Sequence, residues 1–184
     1  MARKESITIE KILETAFEMT REEGMGAVTA RKLAAKAGCS TQPIFRVYKN
    51  MEELEAELFE KAVDFFEAFY NTYEKSYDTP FLNLGMAYIA FALKEKNLFK
   101  LLFLQTEQRS KSFYEILNGK EGFVVKEINR AKEDGCKKPS EMFMKIWMLI
   151  HGAGCMAITG DYDLEKEETV SMLQGAYRAF KEQG

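Results

Sequence analysis

The sequence predicts an all-α fold of about nine helices, on three observations. Apolar residues recur at helical spacing through most of the chain, no run alternates in the manner of a strand, and Gly or Pro stands where successive helical patterns stop or start. Size agrees, since 184 residues with 46% apolar and 12% aromatic content supply a buried core without staples.

Ile9, Ile12, Leu13, Ala16, Phe17 and Thr20 form the inward face of a first helix, which Gly24 stops. Thr29 is the N-cap of a short second helix with Leu33, Ala34 and Ala37 facing inward, and Gly38 closes it by taking the left-handed conformation. Ser40 then caps a third helix. Two short helices joined by a tight Gly turn form a helix-turn-helix, with the first helix packed behind it. Asn50 and Glu53 read as a capping-box-like pair opening a long helix with an apolar side of Leu54, Leu58, Ala62, Phe65, Phe66, Phe69 and Tyr73. Glu52, Glu53, Glu55 and Glu57 crowd its first turns, where the helix dipole favours negative charge. No Gly, Ser or Pro cluster lies near residue 50, so a domain of residues 1–50 passes into one of residues 51–184 without a flexible linker.

Beyond the long helix, Pro80 opens a helix over about 81–96, and residues 98–105 form a short apolar one. A polar span over 106–112 precedes a helix through Phe123, Val124 and Ile128 that ends near Gly135. Pro139 and Ser140 start a helix to about Thr159, and residues 164–182 supply the last.

Charge gives the first functional signal. Residues 26–50, GAVTARKLAAKAGCSTQPIFRVYKN, hold Arg31, Lys32, Lys36, Arg46 and Lys49 and no acid, within a chain of net charge −3. Residues 1–50 carry nine Lys or Arg against six Glu, and residues 51–184 carry 17 against 23. A basic head on an acidic body faces an anionic partner. In a helix-turn-helix the second helix enters the major groove, which sets Thr41, Gln42, Pro43 and Arg46 against base edges and phosphates. Pro43 costs little in the first helical turn and offers an apolar edge suited to a thymine methyl.

The segment 12–58 resembles the DNA-binding domain of the tetracycline-repressor (TetR) family, whose members typically show a turn such as A-G-V-S, then L-Y-R-Y-F and S-K-E-x-L. Here the matching residues are Ala37-Gly38-Cys39-Ser40, Ile44-Phe45-Arg46-Val47-Tyr48 and Asn50-Met51-Glu52-Glu53-Leu54. The resemblance implies a surface of Thr29, Arg31, Ser40, Thr41, Gln42, Pro43, Arg46, Tyr48 and Lys49 that meets an operator in double-stranded DNA. Three departures bear on it. Phe45 stands where the family usually has a phosphate-binding Tyr, Met51 where it usually has a phosphate-binding Lys, and Gln42-Pro43 replaces the commoner Gly-Thr. Lys49 and the arm residues Arg3 and Lys4 can compensate. The resemblance further implies a helical body that dimerises through its last two helices, setting two recognition helices about 34 Å apart on a palindrome.

The segment 141–159, EMFMKIWMLIHGAGCMAIT, is apolar nearly all round after Lys145 and must be covered on every side. Its apolar run is about 13 residues, short for a bilayer, so burial against protein is expected and no membrane partner. Trp147 to Gly152 also resembles a W-x-x-x-H-G feature of one group of TetR ligand-binding domains. Ten Met and many rings suggest a pliable apolar cavity for a small hydrophobic or aromatic effector, with Phe66, Phe69, Tyr70, Tyr88, Phe91, Phe103, Phe113, Trp147 and His151 as candidate lining. Each ring has a packing role as the alternative, and His151, the only histidine, can instead be satisfied by a backbone carbonyl.

Other classes find little support. No nucleophile elbow, phosphate loop or His/Cys pair at metal spacing is visible, so neither an enzyme, a cofactor nor a metal is expected. Cys39, Cys136 and Cys155 are odd in number and lack C-x-x-C spacing, which points to a reducing cytoplasm. Cys39 fills a small apolar position in the turn, with thiol sensing as the alternative. Function is then a ligand-responsive repressor acting as a homodimer, or a small-molecule or protein-binding module that keeps this scaffold with weak operator affinity.

Overall fold

A computed structural model describes residues 8–105 and 110–182 of the chain. Among them there is no strand, and the helices are α1 (Ile9–Glu23), α2 (Ala30–Ala37), α3 (Gln42–Val47), α4 (Met51–Thr72), α5 (Leu82–Lys94), α6 (Lys96–Phe99), α7 (Phe113–Asn118), α8 (Phe123–Glu133), α9 (Pro139–Thr159) and α10 (Lys166–Glu182). The all-α expectation is therefore met. The chain divides into two compact units, one of Met1–Phe65 and Asn97–Ser110, the other of Phe66–Lys96 and Lys111–Gly184. The division falls inside α4, which contributes to both.

In the first unit α1 starts where Thr8 accepts a hydrogen bond from the Lys11 N–H and ends at Gly24, whose φ of 89° a side chain rarely adopts. Ile12, Ala16, Phe17 and Met19 line its buried face, and Leu33, Ala34, Ile44, Leu54 and Leu58 complete that core from α2, α3 and α4. Phe17 meets Phe65 at 5.5 Å between ring centres, with Lys61 over Phe17 and Arg21 over Phe65, both at 5.1 Å. The carbonyls that α1 leaves without helical partners are met by Asn97, whose Nδ2 donates to Arg21 O at 2.9 Å and Glu22 O at 3.1 Å. The apolar segment expected at 98–105 is α6 followed by a wider π-helical turn, Lys100–Leu104.

In the second unit α5 is buried along most of its length and packs chiefly on α9, with α10 against both. Gly85 makes this possible: a Cβ there would sit 3.1 Å from both Ile150 and Leu173 side-chain carbons. The single helix expected before Gly135 is two helices. Gly119 (φ 57°) and Gly122 (φ 70°) break it, and buried Glu67 of α4 accepts the Lys120 N–H at 3.0 Å. The turn before α5 is held by Asn83, which accepts from Tyr77 N and donates to Tyr77 O, and by buried Glu127, which accepts from Phe81 N and pairs with Arg130 at 2.7 Å.

At 21 residues α9 is long and apolar enough by composition to cross a bilayer, and no other helix among the described residues is. In this fold its Met142, Phe143, Ile146, Ile150, Ala153 and Ala157 face is buried. The expectation of cover on every side is not met within one chain, because Met144, Met148 and Met156 stand exposed, Met148 at 61%.

Candidate nucleic-acid interface

Local sequence builds the helix-turn-helix. The Thr29 hydroxyl accepts from the Lys32 N–H at 3.3 Å and starts α2. Gly38, at φ 71° and ψ 30°, turns the chain while the Cys39 N–H reaches back to the Ala34 carbonyl at 2.9 Å. The start of α3 differs from expectation. Ser40 is not its cap: the helix begins at Gln42 after Thr41, which already has helical dihedrals (φ −70°, ψ −21°) and makes no side-chain cap bond. Pro43 lies in the first turn, as its missing N–H allows. Ile44 faces inward and is fully buried.

The opposite side of these helices is exposed. Thr29, Arg31, Ser40, Thr41, Gln42, Arg46 and Lys49 are exposed, and Pro43 is half-buried. Phe45 adds 49% exposure of an aromatic ring beside Arg46. The stretch is acid-free in sequence, yet the fold brings two carboxylates to it. Glu22 of α1 takes Lys36 Nζ at 2.6 Å and holds that amine above its ordinary range, and Glu53 lies 3.5 Å from Lys49 Nζ. Arg31, Lys32 and Arg46 are exposed and have no carboxylate partner among the described residues. Arg3 and Lys4 lie outside the described residues.

The exit of α3 is tied to α4 by three acceptors. Asn50 Oδ1 accepts from Glu53 N at 3.0 Å, and Glu53 Oε2 accepts from Lys49 N at 2.8 Å, one residue earlier than a capping box would require. That backbone bond first, and then Lys49's charge, hold the Glu53 carboxyl below the usual carboxylate range. Tyr48, expected at the DNA surface, is only 5% exposed, and its hydroxyl donates to Glu57 Oε2 at 2.6 Å. Burial, and then Glu57, push its phenol well above the ordinary value. Glu57 as the anchor of Tyr48 is the feature of this region that the sequence did not reveal. Its spacing of four from Glu53, on the same side of α4, was the available signal.

Most of the expected effector residues come together in the second unit. Ring centres run from Phe69 to Phe91 at 5.3 Å, Phe91 to Phe66 at 5.0 Å, Phe66 to Tyr88 at 6.4 Å and Tyr88 to Trp147 at 5.3 Å. Phe113 and His151 close the chain, with Trp147 stacked on His151 at 5.1 Å. His151 Nδ1 is 2.9 Å from the Tyr88 hydroxyl, a side-chain partner rather than a carbonyl. Tyr70 stands apart against Phe123 at 4.2 Å, its phenol pushed up to about 12 by burial and then by Glu127. Phe103 belongs to the first unit, where it packs on Phe99 at 5.0 Å.

Residues 12–58 match the model of bacterial regulatory proteins of the tetR family. A TetR family transcription regulator from Marinobacter aquaeolei VT8 superposes with a TM-score of 0.65 at 17% identity, over 92% of this chain and 93% of that one. A protein of unknown function from Rhodococcus sp. RHA1 gives 0.71 at 18% identity, over 100% and 98%. A TetR-like transcriptional regulator from the same organism gives 0.60 at 13%, over 92% of each. At these identities the likeness establishes the fold. No curated protein matches the sequence.

Proposed function

We propose that this chain, whose residues 12–58 carry the DNA-binding domain of the tetR-family bacterial regulatory proteins, is a ligand-responsive repressor that binds a palindromic operator as a homodimer. The observation that carries the reading is the exposed face of the helix-turn-helix, where Thr41, Gln42 and Arg46 stand clear with Arg31 and Lys32 beside them. Arg46 and Gln42 read base edges or phosphates, while Arg31, Lys32 and Thr29 fix the register on the backbone. Residues 1–50 act as the DNA-binding domain and residues 51–184 as the effector and dimerisation domain, in the cytoplasm.

The exposed Met144, Met148 and Met156 of α9 support pairing of α9 and α10 with their two-fold mates. The ring cluster from Phe69 to His151 supports a small, mostly apolar or aromatic effector. Helix α4 starts beside the recognition helix and continues to Thr72, and effector binding is passed on along it. Operator and effector affinities are then coupled reciprocally, typically by about 1–3 kcal/mol. The second reading, a binding module with weak operator affinity, draws on Phe45 and Met51 and on the pairing of Lys36 and Lys49 with acids.

Salt titration of duplex binding separates the two. The repressor reading expects affinity to fall steeply with salt and Arg46→Ala to lose specific binding. Weak binding that is indifferent to both changes favours the module.

A further inference from the structure

Helix α3 turns one narrow stripe outward. Ile44 is fully buried and Tyr48, which ends the helix, is 5% exposed, so the opposite side carries Thr41, Gln42, Phe45 and Arg46, all exposed. Residues three and four apart share a helix face, which sets Phe45 beside Thr41 and Gln42 and in the middle of the stripe. Its ring is 49% exposed, and no other ring lies against it among the described residues. Tyr114, the other exposed ring among them, packs edge-on against Phe143 at 6.0 Å between ring centres. A single exposed apolar residue is ordinary on a protein surface. This one differs in standing inside a polar, cationic face, next to Arg46 and with Arg31 and Lys32 also exposed on the helix-turn-helix.

The major groove offers hydrogen-bond donors, acceptors and one apolar group, the 5-methyl of thymine. A phenyl ring has no polar atom to give to a phosphate or to a base edge, so on a face that meets the groove the methyl is its one matched partner. We infer that Phe45 is a base-reading residue whose ring packs on the 5-methyl group of a thymine in each half-site, adding a preference for T·A to what Gln42 and Arg46 read. Pro43, the apolar residue to which the sequence assigns a thymine methyl, is half-buried, and Phe45 is the more exposed of the two. The ring stands where the resembling family usually has a phosphate-binding Tyr, so the lost hydroxyl is a change of role from backbone contact to groove contact. This deepens the regulator reading and rests on it.

The test takes the full chain and the duplex motif it selects from a random library, and replaces each dT in turn by deoxyuridine (dU). That change removes one methyl group and no hydrogen-bonding atom. One fixed dT per half-site is expected whose replacement weakens binding by about fourfold, and by about fifteenfold when both half-sites change. Phe45→Ala is expected to weaken binding of the dT duplex by a similar factor and to bind dT and dU duplexes equally within about twofold. Its salt dependence should match that of the unaltered protein, because the ring touches no phosphate. Pro43→Ala should keep the full dU penalty. Duplexes with dU that bind as tightly as the parent at every position overturn the inference, and that comparison needs no variant to fold. A folded Phe45→Ala protein that keeps the dU penalty, or that loses operator binding outright, also overturns it. Selection of no motif removes the regulator reading and the thymine contact with it, whereas a motif bound without sensitivity to dU removes the contact alone.

Discussion

The Tyr48 hydroxyl donates to Glu57 Oε2 at 2.6 Å, which joins the residue that ends α3 to the second turn of α4. Together with the Lys49 N–H bond to Glu53, it makes the orientation of α3 a property of α4 as well as of the turn. Tyr48→Phe keeps the buried ring and removes the bond. The expected cost is about 1 kcal/mol of stability, with operator affinity lowered by a similar factor across different DNA sequences. Calorimetry and a binding series on several duplexes check this. A loss confined to one base position would instead mark Tyr48 as a reader of bases.

Gly119 sits at φ 57°, and a Cβ there would lie 2.8 Å from the Phe123 ring. Gly119→Ala therefore combines left-handed strain with a clash in the core, at a cost of about 2–4 kcal/mol. Thermal unfolding reads the change. Gly38→Ala is the comparison: its φ is 71° with nothing near the added carbon, so only the strain is expected.

Tyr70 is one of several buried tyrosines that contribute to stability at alkaline pH. Its folded pKa of about 12 lies above the ordinary phenol value of 10.0, so between those values the unfolded phenol loses its proton while the folded one keeps it. Stability from this group is complete below about pH 10 and is lost as pH rises toward 12. Tyr70→Phe should flatten that part of the unfolding-versus-pH curve and leave the curve near neutrality with the same slope. An unaltered alkaline slope in the variant would contradict the assignment.

Met148 is the most exposed residue of the α9 methionine stripe. Met148→Lys sets a charge in the proposed dimer face and should weaken self-association by about tenfold or more, as read by sedimentation equilibrium. The helix content should not change, because the side chain makes no core in one chain.

Much of the head was legible because its signals are local. Thr29, Gly38 and Gly24 act on atoms within five residues, and each does in the fold what its position predicts. Pro139 and Gly160 bound α9 for the same reason. The failures have non-local causes or conflicting local ones. Glu67, some fifty residues away, satisfies the turn that splits α7 from α8, although the two glycines were visible. The Tyr48–Glu57 bond needs α3 and α4 folded together before it exists. Ser40 lost its capping role because Thr41 already takes helical dihedrals. In the second unit the aromatic cluster was legible as a set of rings, but the Cys155–His151–Tyr88 chain was not, since Tyr88 reaches it from another helix.

Selection of binding sites from a random duplex library, run with the purified full chain at two salt concentrations, tests the central claim most directly. A palindromic motif with half-sites about 10 base pairs apart is expected, recovered more strongly at low salt and absent for Arg46→Ala. Recovery of no motif at either salt concentration, from protein that is folded and dimeric, would contradict it.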